Sequence, residues 1–117
     1  MDISLVMVTT DSTDPKPLAE WWAEQLGAAI TQDFDGFFQI VEGGSLPVRL
    51  AFQKVDEVAP GKNRIHLDLD SADPEADVEG LVAAGAALVG WRGEEGFRWA
   101  TLTDPQGNEF CIGSNEH

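Results

Sequence analysis

The chain has 117 residues and a mass of 12.7 kDa, the size of one domain, with 43% hydrophobic and 24% charged residues. That balance excludes a disordered chain and supplies a core that needs no covalent staple. Seven basic against 21 acidic residues give a formal net charge of −14, which excludes nucleic acid as a partner and disfavours an anionic membrane, since both require a positive surface.

No apolar run approaches the ~18 residues of a membrane span. The first residues, Met1-Asp2-Ile3-Ser4, lack the basic region of a secretory leader. Cys111 is the only cysteine, so an intramolecular disulfide is impossible and a reducing, cytoplasmic location is expected.

In chain order, the alternation over Ile3–Thr9 predicts a strand. Asp14-Pro15 then opens a helix, Asp14 at the N-cap and Pro15 at the first helical position, where no N–H is needed. Leu18, Trp21, Trp22, Gln25 and Leu26 form a one-sided apolar stripe, in which only one of the adjacent tryptophans is expected to point squarely inward. Gly27 stops the helix. Strands follow near Ala29–Asp33, Phe37–Glu42 and Val48–Val55.

The same pattern then repeats. Asp11-Ser12-Thr13-Asp14-Pro15 recurs as Asp70-Ser71-Ala72-Asp73-Pro74, Leu26-Gly27-Ala28-Ala29 as Ala84-Gly85-Ala86-Ala87, and the aromatic strand start Phe37 as Phe97. Three matches in one order at near-constant spacing identify an internal duplication. The halves are 1–57 and 63–117, joined by a linker at 58–62 that contains Pro60-Gly61. The second half reads as a strand over Arg64–Asp70, a helix with Val78, Leu81 and Val82 on its sheet side that ends at Gly85, and strands near Ala87–Trp91, Phe97–Thr103 and Asn108–Gly113. Asp104-Pro105-Gln106-Gly107 is a tight turn, and Gly90–Gly96 reads as a flexible rim loop. The predicted fold class is α+β: two βαβββ modules forming a curved half-barrel sheet around a cleft, with the helices on the convex face.

The strand Arg64–Asp70 alternates strictly. Ile65, Leu67 and Leu69 face the helices, and Arg64, His66, Asp68 and Asp70 face the other way, which places His66 and Asp68 in the cleft. His66 reads either as a general base, with Asp68 two positions along the same face, or as a structural histidine. The second is preferred because no further acid or nucleophile is spaced to complete a mechanism. Cys111 reads as a small buried apolar side chain in preference to a nucleophile. Trp91 and Trp99, beside Arg92 and Arg98, either stack a planar ligand or pack the barrel. Convergence of Arg49, Arg64 and Arg98 on the cleft would favour an anionic ligand.

The doubled unit, His66-Leu67-Asp68-Leu69, the Gly85-Ala86 helix end and Asp104-Pro105-Gln106-Gly107-Asn108-Glu109-Phe110-Cys111 resemble the vicinal oxygen chelate superfamily. That superfamily includes glyoxalases, extradiol dioxygenases and bleomycin-binding proteins, and the resemblance is to its glyoxalase-like domain group. In metal-dependent members, the resemblance implies a His or Gln on the first strand and a Glu on the last strand of each half. Carried over, these positions fall on Met7, on Ala51 or Gln53, on His66 and on Cys111, while Glu109 lies two residues short. One of the four ligands survives, so no metal site and no cofactor are expected; a soft metal on His66, Cys111 and Gln53 is the alternative, disfavoured because that set lacks a carboxylate.

The resemblance therefore implies a metal-free small-molecule binding protein, a homodimer, with a pocket formed by Met7, Phe37, Gln53, His66, Asp68, Trp99 and Cys111. The alternative is a divergent metal-dependent lyase, isomerase or dioxygenase with His66 as candidate base or ligand. A third reading, within the first, is sequestration of a basic drug by the acidic chain.

Overall fold

The computed structural model describes residues 1–2, 5–61, 63, 65–94 and 97–114, with the side chains of Glu94 and Phe97 outside that description. The chain divides into two compact units, Met1–Ala59 and Pro60–His117. The first holds β1 (Met7–Ser12), α1 (Pro15–Leu26), β2 (Ala29–Asp33), β3 (Phe38–Glu42) and β4 (Arg49–Lys54). The second holds β5 (Leu67–Asp70), α2 (Pro74–Ala83), β6 (Ala87–Glu94), β7 (Phe97–Thr103) and β8 (Glu109–Gly113). Each unit is one four-stranded sheet, ordered β1-β4-β3-β2 or β5-β8-β7-β6. In both, the first strand runs parallel to the last and the other pairings are antiparallel. The α+β class and the doubled βαβββ order expected from the sequence are observed.

The recurring Asp-Ser-x-Asp-Pro segment has a local cause. The hydroxyls of Ser12 and Ser71 accept from the backbone N–H of Asp14 and Asp73, each at 3.0 Å, and both serines are buried. The bend so fixed delivers a proline to the first helical turn in both units. Asp73 also caps α2, accepting from Ala76 N–H, whereas the Asp14 side chain makes no capping bond to α1. Gly27 ends α1 in the left-handed conformation (φ 65°). Helix α2 instead ends on a right-handed Ala84, and the positive φ falls one residue later, at Gly85.

Each helix packs on its own sheet. In the first unit α1 packs on β3 and β4, and Leu18, Ala19 and Trp22 are buried together with Val41, Leu50 and Phe52 of those strands; both tryptophans are buried, Trp21 lying edge-on to Trp22 with ring centroids 5.0 Å apart. The expectation that only one of them turns inward is therefore corrected. The second unit has a thinner seam, where α2 buries only Val78 and Leu81 and the sheet buries Ala100, Leu102, Phe110 and Ile112. Val82, expected on that seam, is exposed, because the helix turns it away from the two residues that reach the sheet. Ile65 lies outside β5 and is exposed, while Leu67 and Leu69 are half-buried as their alternation requires. Three strand residues of the sequence reading, Ile3, Ser4 and Arg64, lie outside the described residues.

The segment 90–94, read as part of a rim loop, is strand. It continues β6 and pairs with β7 through Trp91↔Ala100, Arg92↔Trp99 and Gly93↔Arg98. The remaining two residues of that segment, Glu95 and Gly96, lie outside the described residues.

Gln39 is fully buried on the helix side of β3. Its Nε2 donates to Asp33 Oδ1 at 2.6 Å, and its Oε1 is the one buried side-chain polar atom without a partner among the described residues. Asp33 is also the acceptor for Gly36 N–H and lies 3.7 Å from the Lys16 ammonium. The Gly36 bond first, then Gln39 and Lys16, hold the Asp33 carboxyl below its ordinary value of 3.8. A depressed carboxyl contributes stability that is present above its unfolded pKa and is lost as pH falls through its folded pKa. Asp33→Asn keeps an acceptor for Gly36 and Gln39 but does not titrate. The native chain is thus expected to lose stability more steeply than the variant on acidification below about pH 4. Urea melts across that range check this; parallel pH profiles would remove the role assigned to Asp33.

Candidate functional site

The second unit gathers the chemistry. Asp68 lies opposite Cys111 across the parallel β5–β8 ladder, and Cys111 lies opposite Thr101 across the antiparallel β8–β7 ladder. Residues directly opposite project from the same side of a sheet. Their alternates Phe110, Ile112, Ala100 and Leu102 are buried on the side that α2 covers. Asp68, Thr101 and Cys111 therefore share the helix-free face.

His66 joins them from just before β5. Its Nδ1 is 3.2 Å from Asp68 Oδ1, with both side chains substantially exposed. The Thr101 hydroxyl and the Cys111 thiol are hydrogen-bonded at 3.5 Å, and Cys111, expected to be buried, is only half-buried because it projects from the face that α2 does not cover. Donor atoms of His66, Asp68 and Cys111 all lie within 4.8 Å of one another.

Asn63 fixes the approach. Its Oδ1 accepts from Glu109 N–H at 2.9 Å, and its Nδ2 donates to the carbonyls of Glu109 and Ile65. One amide thereby ties the segment leading into His66 to the start of β8. Sequence reading missed both Asn63 and Thr101. Asn63 borders a Pro-Gly linker and reads as part of a turn, and Thr101 gains meaning only once the β7–β8 register is known.

Trp99 lies on the same face, opposite Gly113. A Cβ at position 113 would come within 3.2 Å of Trp99 Cβ and 3.3 Å of the Arg98 carbonyl, so glycine leaves the indole its room. Trp91 belongs to the other face. The Arg98 guanidinium stacks 4.5 Å above its ring and also reaches Glu75 of α2 at 3.5 Å. Trp91 and Arg98 are thus committed to each other on the helix side. Arg49 donates to the Val6 carbonyl. Arg98 does not join an anion-binding set with the His66 face, and Arg64 lies outside the described residues.

Of the seven predicted ligand-binding residues, the second unit brings together His66, Asp68, Trp99 and Cys111. The other three belong to the first unit. Met7 is half-buried in β1, and Gln53 is exposed on β4 opposite Asp11 and Phe38. Phe37 precedes β3 in the turn after β2, where its N–H bonds the Phe34 carbonyl and its ring is exposed.

The register also settles which first-unit residue matches Cys111. Thr9, Ala51 and Ile40 pair as Asp68, Cys111 and Thr101 do, so Ala51 is the counterpart and Gln53 corresponds to Gly113. The four family ligand positions hold a thioether, a methyl group, an imidazole and a thiol. This set does not fit a hard divalent ion, which prefers carboxylate and other oxygen donors.

Many solved structures resemble the chain, and three serve as examples. A glyoxalase/bleomycin resistance protein/dioxygenase family enzyme from Burkholderia phytofirmans matches with 20% identity and a TM-score of 0.76, covering 94% of this chain and 97% of that one. A bleomycin resistance determinant encoded on the transposon Tn5 matches with 19% identity and a TM-score of 0.69, covering 98% and 100%. Lactoylglutathione lyase from Agrobacterium tumefaciens matches with 14% identity and a TM-score of 0.68, covering 96% and 93%. At these identities the likeness concerns the fold. No curated protein matches the chain. The glyoxalase-like domain profile matches residues 7–113, from the first residue of β1 to the last of β8, and the chain belongs to that family, within the vicinal oxygen chelate superfamily.

Proposed function

We propose that the protein binds a small molecule and that this binding does not run through a hard divalent ion. The observation that supports the reading most directly is the helix-free face of β5, β8 and β7. It carries an indole, an imidazole, a carboxylate and a thiol, while the family ligand positions lack the carboxylates that metal-dependent chemistry uses. Stacking on Trp99 would supply apolar contact, and His66 and Asp68 the polar selection. The net charge of −14 favours a cationic ligand, and a basic drug is the specific case that the bleomycin-resistance relatives suggest.

The test is a tryptophan-fluorescence titration with aromatic cations in the presence of a chelator. A saturable change that is lost in Trp99→Phe and weakens several-fold between about 50 and 200 mM salt is expected, because a field of this kind is screened over a Debye length of ~10 Å. A response that survives Trp99→Phe would overturn the assignment of the face. The His66–Asp68–Cys111 grouping keeps one other reading alive, a divergent metal-dependent lyase, isomerase or dioxygenase. Turnover that disappears with chelator and returns with metal would select it. The binding form proposed is a homodimer in the cytoplasm, checked by sedimentation.

A further inference from the structure

We propose that His66, Asp68 and Cys111 form a three-donor site for a borderline-soft divalent ion, zinc being the natural occupant, built by the second unit alone. This goes beyond the binding role and departs from the expectation of no metal. The arrangement also differs from the family pattern. It draws nothing from the first unit, and to His66 and Cys111, which stand at family ligand positions, it adds Asp68, which does not.

The geometry follows from the ladder. Asp68 and Cys111 are in-register neighbours on adjacent parallel strands, which lie about 4.8 Å apart. His66 lies two residues before Asp68, and its Nδ1 is 3.2 Å from the carboxylate. Zinc–ligand bonds of about 2.0–2.3 Å require donor–donor separations of roughly 3.3–3.7 Å in a tetrahedron. Donor atoms already within 4.8 Å of one another reach that spacing by side-chain rotation, with the backbone left in place.

The donor chemistry selects the ion. A thiolate discriminates against magnesium and calcium and favours zinc or cobalt(II). Binding releases the thiol proton, and the Asp68 carboxylate and the Cys111 thiolate together balance the ion's charge. The Thr101 hydroxyl, already hydrogen-bonded to Cys111 Sγ, can donate to the thiolate and orient it. Asn63 holds the backbone on both sides of the site. With three protein donors the fourth position stays open to water or to a donor atom of a bound molecule.

The first unit provides an internal control. The positions that match Asp68, Cys111 and Thr101 are Thr9, Ala51 and Ile40, which offer neither thiolate nor carboxylate. All specific binding should therefore map to the second unit.

Cobalt(II) titration of the intact chain, with no small molecule present, tests the site. We expect saturation at one equivalent with thiolate-to-cobalt charge-transfer absorption, displaced by zinc. Cys111→Ser should abolish the band. His66→Ala and Asp68→Asn should each weaken cobalt binding by about tenfold or more, since loss of even an outer-shell partner of a ligand costs that much. Both residues are exposed and these variants are expected to fold, which thermal melts would check. Absence of the band in the native chain overturns the proposal. So does a band whose affinity is unchanged in both His66→Ala and Asp68→Asn, since cobalt would then be meeting a lone thiol. The small-molecule titration is run with chelator, so the two ideas fail independently.

Discussion

Gly44→Ala should lower the stability of the chain by about 3 kcal/mol or more, read as a fall in the urea midpoint at unchanged slope. Gly44 has φ +56°, and a Cβ placed there would come within 2.5 Å of the carbonyl oxygens of both Leu26 and Gly27. These oxygens end α1 and cannot yield as a flexible side chain would. Leu26 O also accepts from the Ser45 N–H and hydroxyl, so the Gly44-Ser45 turn closes the C-terminus of the helix. The alanine would impose left-handed strain and a backbone overlap together. Gly80→Ala is the matched control. Gly80 lies inside α2, is exposed, and a Cβ there meets nothing within 4 Å. The same substitution should stabilise at that position by up to about 1 kcal/mol, because helix formation no longer restricts a glycine. A loss under 1 kcal/mol at position 44, or equal effects at the two positions, would contradict the close approach.

What the sequence disclosed was local. The Asp-Ser-x-Asp-Pro bends, the proline helix starts and the Asp104–Gly107 turn each depend on atoms a few residues apart, and each appears in the structure. The readings that failed depended on partners far along the chain. Gly-Trp-Arg-Gly has the composition of a loop, yet seven register pairs hold β6 to β7. Arg98 would favour an anionic ligand if it converged on the cleft with Arg49 and Arg64, but β-alternation sends it to the opposite face, where Glu75 and Trp91 take it. Val82 fits the helical period but falls beyond the stripe that the sheet can reach.

The candidate site shows the same division. His66 and Asp68 were readable as a pair because i and i+2 share a strand face. Their meeting with Cys111 and Thr101 needed two registers, one parallel and one antiparallel, that no local pattern specifies. The duplication supplied the comparison that gives those registers meaning. One scaffold carries a donor set in its second copy and a methyl group, a hydroxyl and an aliphatic chain in the first, so the fold itself does not require the donors.

The turn that sets the β8 register should therefore matter to both stability and chemistry. Asp104 is buried, and its Oδ1 accepts from the N–H groups of Gln106 and Asn108 at 2.9 and 3.0 Å. The Asn108 side-chain amide donates to both carboxylate oxygens, at 3.1 and 3.0 Å. Backbone bonds Asp104 N–H to Asn108 O and Gly107 N–H to Asp104 O close the loop, with Gly107 at φ +88°. Asp104→Ala removes a charged acceptor from three donors and should cost about 2–4 kcal/mol, since bonds to an ionised group contribute more than neutral ones. Asp104→Asn keeps an acceptor for the two backbone donors and should lose about half as much. Because β8 begins at Glu109 and carries Cys111 two residues later, loosening the turn should also weaken cobalt binding under native conditions, while leaving Asp68 and His66 intact. Urea melts and the cobalt titration on the same two variants read both effects. Equal losses for Asp104→Ala and Asp104→Asn would show that the carboxylate's backbone bonds do not hold the turn.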